Sequence, residues 1–128
     1  MTDEAEVVGT LAKRFFDAIE AGDIYGVASC YAEDVAIWHN TDRKVENKAQ
    51  NAKVLQGFTR HISGIKYRDR RLVIFPGGFA QQHLLTGRRP DGVAVELPAA
   101  IICAVAAGRI TRLDEYFDSA QVQAFVGG

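Results

Sequence analysis

The chain has 128 residues, of which 48% are hydrophobic and 24% charged, a composition typical of one globular domain with a single core. Its formal net charge of -1 argues against nucleic acid or an anionic membrane surface as a general partner. The 2 cysteines are too few for a disulfide framework, and no Cys and His spacing indicates a metal site. Because no signal peptide or membrane-spanning run is visible, we expect a cytoplasmic protein with one domain over residues 1–128.

Apolar residues at helical spacing predict three helices in the first half of the chain. The first runs from about Asp3 to Ala21, with Thr2 or Asp3 as its N-cap. The second is short and runs from Asp23 through about Tyr31, after a glycine suited to end a helix. The third covers Lys48 to Ser63 and begins behind a capping box formed by Asn47 and Gln50.

The remaining segments have the period of β-strands. Val35 to His39 is predicted as a strand between the second and third helices. After Gly64, turn sequences such as Pro90-Asp91-Gly92 separate strand-like runs, which predicts an antiparallel meander. These runs are Ile65–Phe75, Phe79–Arg88, Val93–Ala106 and Arg109–Asp118, followed by a terminal segment Ser119–Val126. The order of elements predicts an α+β protein in which helices cover one face of a curved sheet and leave a cavity.

The last predicted strand carries an acidic side chain on a mainly apolar face. Alternation places Glu115 with Leu113 and Phe117. Because burial of an unpaired carboxylate is costly, such a group is usually partnered, neutral or exposed to a polar pocket. Two interpretations remain open: Glu115 works inside the cavity, or it is structural or exposed on a shifted strand.

Several segments occur in an order that resembles a known superfamily. They are Glu20-Ala21-Gly22-Asp23, Tyr31-Ala32-Glu33-Asp34-Val35, Trp38-His39-Asn40, and Gly108-Arg109-Ile110 through Glu115-Tyr116-Phe117-Asp118. Together they resemble the nuclear-transport-factor-2-like superfamily, especially its SnoaL-like and limonene-epoxide-hydrolase-like branches. The resemblance implies a cystatin-like α+β barrel, a cone-shaped antiparallel sheet whose concave face is covered by three N-terminal helices. It also implies a deep pocket and, commonly, a homodimer formed through the outer sheet face.

The same resemblance implies roles for individual residues. The epoxide-hydrolase-like branch activates water with a carboxylate that matches Glu115, and its tyrosine and asparagine on the first strand match Trp38 and Asn40. Its arginine and acid-donating aspartate fall near Gln82 and Leu84, and a leucine cannot protonate an epoxide oxygen. The fold is therefore implied more specifically than the reaction, because this fold hosts many activities.

The leading hypothesis is a small enzyme that acts on an apolar small molecule by general acid/base chemistry, without a metal or organic cofactor. The reaction would be of the isomerase, cyclase or hydrolase type, with Glu115 as base and Trp38 and Asn40 positioning substrate or water. The alternative is a non-catalytic protein that binds an apolar ligand. By alternation, His39 and His83 are expected on the outer face. The predicted pocket residues are Phe15, Tyr31, Leu55, Tyr67, Gln82, Leu84, Leu97, Ile101, Leu113 and Phe117.

Overall fold

The computed structural model describes residues 3–127, which form a six-stranded sheet and four helices. The helices are α1 (Glu4–Glu20), α2 (Ile24–Ser29), α3 (Lys48–His61) and α4 (Ser119–Val126). The strands are β1 (Tyr31–His39), β2 (Val45–Glu46), β3 (Ser63–Phe75), β4 (Gly78–Arg88), β5 (Ala94–Ala106) and β6 (Arg109–Tyr116). The predicted α+β class and the predicted meander of four long strands are confirmed.

The strand order in the sheet is β2-β1-β6-β5-β4-β3. Strands β3 to β6 pair antiparallel with their neighbours, whereas β1 pairs parallel with β6. The short strand β2, which the sequence pattern did not predict, pairs antiparallel with β1. Helix α1 packs against β3 and β4, and α3 packs against β1. The parallel pairing brings the end of β1 beside the end of β6, where Glu115 lies.

The helix boundaries agree with the predictions except at two C-terminal ends. Asp3 caps α1 by accepting a hydrogen bond from the Ala5 amide, while the alternative cap Thr2 lies outside the described residues. The predicted extension of α2 to Tyr31 is wrong, because the Cys30 carbonyl already accepts a hydrogen bond from the amide of Ile110, in β6. Helix α3 ends at His61, before Ser63 begins β3.

An aromatic cluster fills the space between α1 and the sheet. The ring of Phe16 lies 5.1 Å from the rings of Phe15 and Tyr67, 5.4 Å from His83 and 6.3 Å from Phe79. All five side chains are buried. Aromatic groups of this size occupy most of the volume that a curved sheet leaves beneath its helices.

An ion-pair network ties α1 to β3. Arg70 contacts Asp17 and Glu20, each at 3.0 Å, and the Tyr67 amide donates to Glu20 Oε2 at 2.7 Å. The register of β3 against β4 shifts between Arg68 and Arg71, where Asp69 adopts a positive φ of 54°. This bulge and its ion pairs fix the position from which Tyr67 points inward.

Among residues 3–127, no helix combines the length and hydropathy needed to cross a lipid bilayer.

The capping box of α3 leads to the first prediction. Replacing Asn47 with alanine removes the side chain that accepts from the Gln50 amide at 2.9 Å. We expect Asn47→Ala to lower the free energy of unfolding by about 1 kcal/mol, measured by urea denaturation. Gln56→Ala, on the exposed side of the same helix, is the control and should change it little. Equal loss in both variants would contradict the assigned cap.

Candidate functional site

A small cavity lies between α1, α3 and the inner face of the sheet. Its volume is about 50 Å³, enough for roughly one or two water-sized groups. Ligand pockets usually measure several hundred Å³, so this cavity is much smaller than the deep pocket expected from the sequence. The cavity is lined by Phe15, Ile19, Tyr31, Ile37, His39, Asn51, Leu55, Tyr67, Ile101, Leu113 and Glu115.

Glu115 lies on the inner face of β6, in line with Leu113. Its side chain is 15% exposed and its Oε1 lies 3.2 Å from Nε2 of His39, which is 17% exposed. The two residues are direct partners in the pairing of β1 with β6. The prediction that His39 faces outward is therefore wrong. Alternation from Val35 and Ile37, which are both buried, would have placed His39 inside.

The surroundings of His39 act on its charge in opposite directions. Burial lowers the pKa of its imidazole, but the hydrogen bond and negative charge of Glu115 outweigh that effect. The negative charges of Glu46 and Asp42 raise the pKa further, so the pKa of His39 lies above its usual value of 6.5. The imidazolium form is thus favoured beside Glu115, where it can hold or donate a proton.

Trp38 and Asn40 do not face Glu115, so their predicted orientation is wrong. Trp38 points to the outer face, where its ring lies 5.4 Å from that of Tyr116. The Asn40 side chain donates to the Phe117 carbonyl and accepts from the Phe117 amide, both at 3.0 Å. Asn40 therefore anchors the segment that leaves β6. The match to the epoxide-hydrolase-like branch implied an inward position for Trp38, but Val35 and Ile37 occupy the inner face of β1.

The predicted inner face of β4 is also wrong. Gln82 and Leu84 line an open groove of about 440 Å³ on the outer side of the sheet. The buried side chains of this strand are instead Gln81 and His83. Apolar and polar residues occur on both faces of β4, so alternation alone does not distinguish them.

Gln81 and His83 are hydrogen-bond partners on the inner face of β4, and the His83 ring belongs to the aromatic cluster. The Gln81 amide nitrogen lies 2.9 Å from His83 Nδ1, which must accept because an amide NH₂ only donates. Nε2 of His83 therefore carries the proton, and it has no hydrogen-bond partner in the described part of the chain. Burial lowers the pKa of His83 to about 4.

Six predicted pocket residues line the cavity: Phe15, Tyr31, Leu55, Tyr67, Ile101 and Leu113. Leu97 is buried in the core but does not line it. Phe117 lies just after β6, and its ring stacks on His39 at 5.9 Å. Whether any of these side chains contacts a ligand stays a prediction.

Asn51 is a cavity residue that the sequence interpretation missed. Its side chain accepts from the Tyr31 hydroxyl at 2.8 Å and donates to Glu46 Oε1 at 3.0 Å. The sequence contains a signal for it, because positions 51, 55, 58 and 62 form a helical stripe as regular as one that begins at Ala52. A polar residue at the start of such a stripe can belong to the buried face.

Comparisons with known proteins identify the family. The family model described as a SnoaL-like domain matches residues 12–113, and the chain belongs to this family, within the nuclear-transport-factor-2-like superfamily. No curated protein matches the chain significantly. Among the described residues, no cluster of three His, Cys, Asp or Glu side chains is arranged to hold a metal ion.

Solved structures share the fold at low sequence identity. A proposed polyketide cyclase from Xanthomonas campestris pv. campestris is 22% identical, with a TM-score of 0.85 over 98% of this chain and 100% of that one. A proposed isomerase from Bacillus subtilis is 15% identical, with a TM-score of 0.86 over 99% and 97%. A proposed SnoaL-like polyketide cyclase from Shewanella denitrificans is 12% identical, with a TM-score of 0.80 over 93% and 96%. At these identities the likeness shows the fold alone.

The two hydrogen bonds of Asn40 predict a structural effect. Asn40→Ala should lower the free energy of unfolding by about 1–3 kcal/mol, since it leaves both Phe117 backbone groups without their partner. Asn40→Asp keeps the acceptor and should lose less. Denaturant titration of the three proteins would measure this order, and full stability of the alanine variant would contradict it.

The lowered pKa of His83 predicts a pH dependence of stability. Between pH 6.5 and about 4 the unfolded chain binds a proton at His83 that the folded chain does not. The free energy of unfolding therefore decreases as the pH is lowered through this window. The loss at pH 4 is about 3 kcal/mol. His83→Gln should lack this contribution, and the difference between the two unfolding curves isolates it from the opposite effect of His39. Parallel curves for both proteins would refute the prediction.

Proposed function

We propose that this protein is a small enzyme that performs general acid/base chemistry on a hydrophobic small molecule, without a metal or organic cofactor. The observation that carries the proposal is the pair formed by Glu115 and His39, 3.2 Å apart at the wall of the inner cavity. Both side chains are largely removed from solvent but reach the cavity. Acid/base groups held in such a position are the usual requirement for proton transfer.

In the proposed reaction, Glu115 takes a proton from the substrate or from a water molecule. His39 holds the carboxylate in position and, as imidazolium, stabilises its charge before the proton arrives. Either group can then return a proton at another atom. This exchange supports isomerisation, cyclisation or hydrolysis, depending on the substrate that is bound.

The size and wall of the cavity limit what it can accept. A volume of about 50 Å³ holds only the reacting end of a substrate, so the remainder must lie towards the opening. Most of the wall is apolar and includes Ile37, Leu55 and Ile101. This composition favours a hydrophobic substrate that presents one polar group inward.

The known relatives are consistent with the proposal. The structures that share this fold include proposed cyclases and a proposed isomerase. We further propose a cytoplasmic homodimer formed through the outer sheet face, since Ile102 and Tyr116 are exposed there.

A non-catalytic protein that binds an apolar molecule is the second candidate. The mainly apolar wall favours it, because binding requires no proton transfer.

Isotope incorporation tests the catalytic proposal directly. A panel of apolar ketones, esters and epoxides is incubated with the protein in D₂O and in H₂¹⁸O, and the products are weighed by mass spectrometry. Deuterium reports isomerase or cyclase chemistry, and ¹⁸O reports hydrolysis. We expect Glu115→Gln to lower the rate by about 10²-fold or more. Glu33→Gln, at an exposed carboxylate, is the matched control and should keep full activity.

The pH profile gives an independent measure of His39. If the imidazolium form supports the reaction, the rate falls as pH rises through the raised pKa of His39. His39→Gln should remove that limb of the profile. Full turnover by Glu115→Gln would contradict the proposal. Retention of a ligand without label incorporation would favour the binding protein.

A further inference from the structure

We propose that Tyr67 is a further catalytic residue, whose hydroxyl donates a hydrogen bond to an oxygen atom of the substrate inside the cavity. The inference rests on the proposed function, because it places a donor in the same cavity as the Glu115 and His39 pair. Tyr67 is 9% exposed and lines the cavity. Its hydroxyl makes no hydrogen bond to any residue between 3 and 127, whereas its backbone amide and carbonyl each make one. A hydroxyl at a cavity wall without a protein partner is free to bond a molecule in the cavity.

The rest of Tyr67 is firmly held. Its amide donates to Glu20 at 2.7 Å, and its carbonyl accepts from Arg70 Nε at 3.3 Å. Its ring makes edge contacts with Phe16 at 5.1 Å and with His83 at 4.6 Å. Only the hydroxyl is therefore left to interact with a molecule in the cavity, and its position is set in advance.

The hydroxyl is suited to donate rather than to act as a base. Burial, then the negative charges of Glu115 and Glu20, raise the pKa of Tyr67 far above its usual value of 10. The proton therefore stays on the oxygen at neutral pH. The Tyr31 hydroxyl differs, because it already donates to Asn51 at 2.8 Å.

The chemical class of the substrate follows from this pairing of groups. A molecule with a carbonyl group next to the carbon that loses its proton would use both the Glu115 carboxylate and the Tyr67 hydroxyl. When the C–H bond breaks, the proton moves to the Glu115 carboxylate and the C–H electron pair forms a new C=C bond. The π pair of the C=O bond moves onto the oxygen that accepts from Tyr67. Stabilising charge where it develops is the strongest contribution a fixed donor can make. Return of the proton completes the reaction without an oxidant or reductant.

Two probes of equal shape test the inference. Acetone carries a carbonyl oxygen, and 2-methylpropene carries a CH₂ group in its place. Binding of each, at equal concentration, is followed by NMR of protein labelled with ¹³C in the tyrosine rings. We expect Tyr67→Phe to weaken acetone binding about fivefold or more and to leave 2-methylpropene binding unchanged. Tyr25→Phe, which alters a tyrosine that is 87% exposed, is the matched control.

Stability measurements keep the test decisive. Tyr67→Phe should unfold at the same denaturant concentration as the unaltered protein, because the hydroxyl has no protein partner to lose. Tyr31→Phe should unfold earlier, since it breaks the bond to Asn51. Equal acetone binding by the unaltered protein and Tyr67→Phe would overturn the inference. So would no acetone binding by the unaltered protein, or destabilisation of Tyr67→Phe equal to that of Tyr31→Phe.

The same probe separates this inference from the proposed function. Exchange of the acetone methyl protons in D₂O reports proton abstraction. Weakened binding by Tyr67→Phe without any protein-catalysed exchange would sink the acid/base proposal and leave the donor role of Tyr67 intact. Catalysed exchange with no effect of Tyr67→Phe on binding or rate would support the acid/base proposal and contradict the donor role of Tyr67.

Discussion

The parallel pairing of β1 with β6 is the constraint on which the interior of this protein depends. It aligns Ile37 with Leu113 and His39 with Glu115, so that two apolar and two ionisable side chains enter the core together. A lone carboxylate in this position would be costly to bury. The imidazole of His39 at 3.2 Å lowers that cost, because it gives the carboxylate a hydrogen-bond partner of opposite charge. The inward carboxylate and the register of the sheet therefore support each other.

The sequence predicted the elements better than it predicted their faces. Turn residues and capping residues act locally, and so the meander, the α3 capping box and the α1 stripe could be deduced from short stretches of chain. On β5 and β6 most large apolar residues fall on the inner face, with Ile102 and Tyr116 as exceptions, and alternation placed Ile101 and Leu113 correctly. On β1 and β4 bulky residues occur on both faces. There the orientation is decided by pairing with distant strands, which no local pattern records.

The aromatic cluster explains why the cone is nearly filled. Phe15, Phe16 and Phe79 are almost completely buried, and they occupy the volume in which a deep pocket was expected. Close packing of this kind stabilises the helix layer on the sheet. The aromatic rings fill the apolar part of the interior, where they can pack against one another. The volume that stays unfilled is therefore beside the polar side chains. The residual cavity is thus found at Glu115, His39 and Tyr67 rather than at the centre of the core.

On the inner face of the sheet, the charged pair therefore lies at one side and the neutral hydrogen-bond donors lie at the other. Beside β1, the pKa of His39 is raised and an ion pair is favoured. Beside β3 and β4, burial keeps the protonated hydroxyl on Tyr67 and lowers the pKa of His83 to about 4, so both side chains are neutral near pH 7. In the proposed reaction, a proton moves from a bound molecule to Glu115 and leaves negative charge on that molecule, close to donors that are themselves neutral. An arrangement of this kind costs little before the reaction and stabilises charge as it forms, which is the requirement for catalysis rather than for tight binding alone.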